Sequence, residues 1–172
     1  MNQRSLRSRA DWPRPFHFLP RPIFEARRPI LAIPVAWLTT LVPSILLGAI
    51  VTTLLPALEQ PKLALDTGTA LFLVAVFAPV VETLIMAGVL TLLLRFFPPV
   101  AAVLASSIGW GIAHSLAAPA WGLVIWWPFL IFSILFVTWR QRSLLAALAI
   151  PAVVHGLQNL LPALLVFTGV SV

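Results

Sequence analysis

Residues 70–94 read ALFLVAVFAPVVETLIMAGVLTLLL, and Glu82 is the one ionisable side chain in that run. A helix needs about 20 consecutive apolar residues, at about 1.5 Å each, to cross the hydrocarbon core of a bilayer. Four more runs of the same kind are present: Ile30 to Leu55, Pro99 to Ala117, Trp121 to Thr138 and Leu144 to Val166. The whole chain of 172 residues is 60% hydrophobic and 9% charged. A soluble domain carries about 25% charged residues, so this chain cannot cover a water-facing surface. The expected fold is all-α: a polytopic membrane helix bundle of about five transmembrane helices. It spans residues 29–172, behind an arm of residues 1–28. Pro34, Pro43, Pro79, Pro128 and Pro151 fall inside the spans. Membrane helices tolerate such prolines where neighbours satisfy the freed carbonyls. Pro162 leaves open whether the last span is one helix or two pieces.

The net charge of +6 is concentrated at one end. Seven of the 11 basic residues are Arg4, Arg7, Arg9, Arg14, Arg21, Arg27 and Arg28, opposed there by Asp11 and Glu25 alone. That distribution points to anionic lipid rather than nucleic acid. Pro13, Pro15, Pro20 and Pro22 prevent a continuous helix in the arm. Its Trp12, Phe16, Phe18, Ile23 and Phe24 alternate with arginines. The arm reads either as an irregular segment on an anionic leaflet, aromatics at the interface, or as a disordered cytoplasmic tail. Arg95, Arg140 and Arg142 fall on the same side of the bundle as the amino terminus, and Lys62 on the other. The excess of arginine places the amino terminus in the cytoplasm. Trp121 and Trp139, at the two ends of their span, are expected as interfacial anchors. Cysteine and tyrosine are absent, which removes thiolate and phenolate chemistry.

Within the spans the ionisable groups are Glu82, His114 and His155, with Asn159 as the main amide. A carboxylate near the bilayer centre costs about 2.5–3.5 kcal/mol, so such a group is a functional candidate with a partner to be found. Counted from the arginine-bearing ends, all three lie about 20 Å deep. Agreement in depth on three helices predicts one shared cavity. His155 and Asn159, four residues apart, share a helix face, as do Trp110 and His114. Ser107, Gly111 and Ser115 form a small-residue stripe, expected to be a packing seam.

This set suits hydrolysis without a covalent nucleophile. Glu82 could take a proton from water held with His114. His155 and Asn159 could donate to the developing oxyanion. Rival chemistries are weaker, though Ser106 or Ser107 with a histidine, or a proton path through Glu82 and the histidines, stay open. No HExxH run exists, and Asp11 and Asp66 lie outside the spans. Ser106 and Ser107 belong to the small-residue region, and five spans without a repeat make a poor transporter.

These residues carry a resemblance. Residues 78–88, APVVETLIMAG, resemble the A-P-x-x-E-E-x-x-F-R-G motif of the CPBP family of intramembrane proteases. That family includes the type II CAAX prenyl endopeptidases and bacterial bacteriocin-immunity relatives. Trp110 to His114 resembles its F-x-x-x-H motif, and His155 to Asn159 its H-x-x-x-N motif. The resemblance implies an endopeptidase in which Glu82 and His114 activate water while His155 and Asn159 form the oxyanion site. The substrate would be a membrane-anchored protein or peptide, and the setting the inner membrane of a bacterium. No firmly bound cofactor is expected, although Glu82, His114 and His155 could ligate a divalent metal such as zinc. Three positions depart from the motif: Thr83 replaces its second glutamate, Met86 its phenylalanine and Ala87 its arginine. The lost Glu–Arg pair is spaced for an ion pair on one helix, and losing both partners is milder than losing one. The alternative is an inactive relative acting as a membrane binding, immunity or assembly factor.

Overall fold

The computed structural model describes residues 9–59 and 68–168. Arg4, Arg7, Lys62 and Asp66 lie outside the described residues. Among the described residues five long helices make up the bundle: α1 Pro29–Leu54, α2 Gly68–Phe96, α3 Pro99–Ser115, α4 Pro119–Trp139 and α5 Leu144–Phe167. Proline opens α1, α3 and α4 at the first helical position, where its missing N–H costs nothing and its fixed φ suits the helix. The helices are apolar on all faces, as lipid-embedded helices are. Four of the five are long and apolar enough to cross a membrane.

The exception is α3. The sequence suggests a span to Ala117, but the helix stops at Ser115 after 17 residues. At about 1.5 Å per residue that is about 26 Å, short of a hydrocarbon core of about 30 Å. The cause is local. Pro119 disfavours a helical residue before it. The N–H groups of Ala117 and Ala118 both turn back to the His114 carbonyl. The last span is settled the other way: α5 runs unbroken through Pro151 and Pro162.

Helix α4 is the centre of the bundle. It packs against α1, α2, α3 and α5, and every residue from Pro128 to Trp139 is buried. Polar links tie it and α5 to α1. The Trp127 indole donates to the Thr39 carbonyl at 2.8 Å. The Thr40 hydroxyl donates to the buried Gln158 amide oxygen, also at 2.8 Å. Trp139 is therefore no lipid anchor. It is 1% exposed, inside the core, with the Arg142 guanidinium over its ring.

The arm also departs from expectation. Over residues 9–28 it is not a loose tail, and of its Trp and Phe side chains there Phe18 is the exposed one. Its prolines forbid an α-helix but allow 3-10 turns, at Arg9–Asp11, Arg14–Phe16 and Arg21–Phe24. Those turns aim Trp12, Phe16, Leu19, Ile23 and Phe24 inward, each at most 8% exposed. The last turn packs on α1 and α4, and Trp12 lies 5.3 Å from both the Phe16 and Phe24 rings. Internal bonds hold the shape: Arg9 donates to the Leu19 carbonyl and His17 to the Trp12 carbonyl. Phe18 remains exposed, stacked on Trp127. Residues 9–28 are thus a packed layer of the core, with Arg14, Arg21, Arg27 and Arg28 left outside.

Candidate active site

The site begins with a fault in α2. Residues Leu73–Phe77 form a π-helical turn, and the Ala78 N–H bonds to the Leu73 carbonyl five residues back. In that register the Val74 carbonyl would need the N–H of residue 79. Pro79 has none. An unmet buried carbonyl costs free energy comparable to a lost hydrogen bond. Asn159 meets it: its side-chain amide donates to the Val74 carbonyl at 3.1 Å. One residue on, the Ala75 carbonyl sits where a Cβ on Gly156 would be 2.9 Å away, so glycine permits the close approach. Helices α2 and α5 are thereby locked together just before Glu82. Asn159→Ala should cost about 1 kcal/mol, the worth of a typical hydrogen bond. In a Pro79→Ala background, where residue 79 regains its N–H, that cost should largely vanish. Melting curves of the single and double variants in detergent measure the difference.

Glu82 and His155 face each other across this junction. His155 Nε2 is 3.7 Å from Glu82 Oε2, and the two side chains are 5% and 25% exposed. The distance is an electrostatic contact rather than a hydrogen bond. The His155 ring stacks on Phe132 at 4.7 Å and meets Phe129 edge-on at 5.3 Å. Its buried Nδ1 has no hydrogen-bond partner. With no acceptor at Nδ1, a neutral His155 ring would carry its proton on Nε2, toward the carboxylate. The Glu82 side chain is the more open of the two.

His114 stands at the end of α3. Its Nδ1 bonds to the Trp110 carbonyl at 2.9 Å. A carbonyl only accepts, so Nδ1 holds the proton and Nε2 offers a lone pair. Trp110, Trp121 and Phe129 surround the ring, with centroids 5.7, 5.0 and 5.6 Å away. Phe129 lies against both histidine rings. Sequence reasoning did not single it out, because a phenylalanine in an all-apolar span carries no signal of its own.

The departures from the motif are buried. Thr83, Met86 and Ala87 are 2%, 0% and 7% exposed. The Ser133 hydroxyl lies 3.6 Å from Met86 Sδ and 3.1 Å from Ser106 Oγ. Ser106 thus belongs to a packing junction, and Ser107 bonds within its own helix to the Leu104 carbonyl. The stripe of Ser107, Gly111 and Ser115 is the α3–α4 seam, with Gly111 and Ser115 against Gly122. Among the described residues no three His, Asp or Glu side chains converge as metal ligands would. Glu82, His114 and His155 do not come together as a three-ligand set in this structure.

A family model described as Rce1-like, type II CAAX prenyl endopeptidase, matches residues 65–161. The match takes in α2, α3, α4 and most of α5, with all four candidate side chains. No curated protein and no solved structure matches the chain.

Proposed function

Because the chain belongs to the Rce1-like family of type II CAAX prenyl endopeptidases, we propose that it is an active endopeptidase working within the membrane. Family and composition together make it an integral membrane protein of a protease family. The finer reading rests on one observation: the Glu82 carboxylate lies 3.7 Å from His155 Nε2, and the His155 ring packs on Phe129, which the His114 ring also touches. A water between Glu82 and His114 Nε2 meets two acceptors, so both its hydrogens point away from the substrate and a lone pair points toward it. Glu82 takes one proton as the oxygen bonds to the peptide carbon. The second amide hydrogen of Asn159, beside the one held by Val74, and the His155 Nε2–H are the donors available to the oxyanion. Glu82 then returns the proton to the amine nitrogen as the C–N bond breaks. The substrate is a membrane-anchored peptide, cut near the depth of Glu82. The arginine-bearing end faces the cytoplasm, and the inner membrane of a bacterium is the proposed setting.

The test is cleavage of a membrane-anchored peptide by the purified protein in proteoliposomes. His114→Ala should lower the rate about 100-fold or more, the range for losing one acid–base partner. Equal rates for wild type and variant would overturn the assignment of His114. The inactive-relative reading has its own support in Thr83 and Ala87, which leave no buried charge pair where the family motif has one. It predicts no cleavage by the wild type and a cellular role that survives Glu82→Gln.

A further inference from the structure

The arm and α1 meet at two adjoining cavities of about 220 and 460 Å³. The first is lined by Pro22, Glu25, Arg27, Arg28 and Leu31. The second is lined by Arg27, Arg28, Pro29, Ile30 and Leu31. Arg27, Arg28 and Leu31 are common to both. The larger is an open depression on the surface of the bundle. Its floor is apolar and open, with Ile30 89% and Leu31 46% exposed.

From this arrangement we infer a discrete site for one anionic phospholipid, its phosphate between Arg27 and Arg28 and an acyl chain along Ile30 and Leu31. Charge supports it. Among the described residues no carboxylate is within 4.0 Å of either guanidinium. Arg142 reaches the same rim, with Nη1 3.5 Å from the Arg27 carbonyl. Among the described residues of the site and its rim three arginines stand with one carboxylate, Glu25, so the site has a net positive charge that a phosphodiester would neutralise. Paired guanidinium groups present donors in the fork geometry that phosphate oxygens accept.

Rigidity supports it as well. Ile23 and Phe24 are fully buried just before the site. The Arg27 N–H closes a turn onto the Glu25 carbonyl at 2.9 Å. The backbone that carries the two arginines is fixed before any lipid arrives, which lowers the cost of binding. Position selects lipid over a soluble phosphate. The site sits at the start of a membrane-length helix, at the end of the bundle where Arg140 and Arg142 also lie, and its apolar floor continues along the lipid-facing side of α1.

Native mass spectrometry of the full chain in detergent tests the site. Wild type should retain phosphatidylglycerol in preference to phosphatidylcholine. Arg27→Gln with Arg28→Gln should weaken that binding about 30-fold, at about fivefold for each arginine near an anionic surface. Arg14→Gln with Arg21→Gln removes the same charge from exposed positions of the same arm and should leave binding unchanged. Ile30→Ser should weaken the lipid, while glycerol phosphate at millimolar level should not displace it. Equal loss from both arginine pairs would reduce the effect to general surface charge and overturn the site. Displacement by glycerol phosphate would overturn the acyl contact and leave a soluble anion as the ligand. Melting curves of each variant confirm folding, so a null result cannot come from a misfolded chain.

Discussion

Glu82→Gln should lower peptide cleavage by about three orders of magnitude while leaving the fold intact. The magnitude is that of a general base in a site with no covalent nucleophile, about 10²–10⁴-fold. The isosteric amide keeps the volume and still has an oxygen for the His155 Nε2–H, but it cannot take a proton from water. Because the carboxylate is a quarter exposed and 3.7 Å from its partner, its replacement leaves no buried charge stranded. The melting temperature should therefore rise or stay level as activity falls. A single-turnover assay with a membrane-anchored peptide, run beside a thermal melt, separates the two quantities. Retained cleavage would remove Glu82 from the chemistry. Loss of cleavage together with a collapse in stability would make it a structural residue.

Much of this was legible in the sequence because bilayer burial leaves few alternatives. A run such as residues 70–94 has to be helical, since no water is present to satisfy exposed backbone groups. The scarcity of charge then made Glu82, His114, His155 and Asn159 conspicuous. Constant helix rise also makes a common depth for Glu82, His114 and His155 an expectation of the sequence. What could not be read depends on contacts made across long sequence separations. Nothing local says that α2 slips into a π turn at Leu73–Phe77. Once it does, Pro79 makes Val74 an acceptor without a helical donor, and the Asn159 amide acquires a partner 85 residues away. The arm misled for a similar reason. Its arginines dominate the local composition, whereas its turns direct Trp12, Ile23 and Phe24 into the bundle. Trp139 looked like an interfacial anchor because its span ends there, yet the neighbouring helices and the arm enclose that end of α4.

Gly122→Val should be the most damaging single change to the fold. A Cβ at Gly122 would collide with Ser115 Oγ and with the Gly111 carbonyl oxygen. The serine could rotate away, but the carbonyl is backbone in mid-helix and cannot. The opposing glycine leaves no room either, since a Cβ on Gly111 would lie 3.0 Å from Trp126 Cβ and 3.2 Å from the Gly122 oxygen. Helices α3 and α4 would have to separate, and α4 is the helix on which the rest of the bundle packs. Overpacking of this kind costs about 1–3 kcal/mol, and more where only backbone can yield. The expectation is a loss of at least about 3 kcal/mol, read as a much lower melting temperature and poor accumulation in membranes. Gly48→Val is the matched control, because nothing lies within 4 Å of a Cβ at that position. Activity should fall with stability, since separating the seam draws Trp121 off the His114 ring it meets at 5.0 Å. Equal melting temperatures for the two variants would mean that the α3–α4 seam is looser than this packing, and that His114 is not held by it.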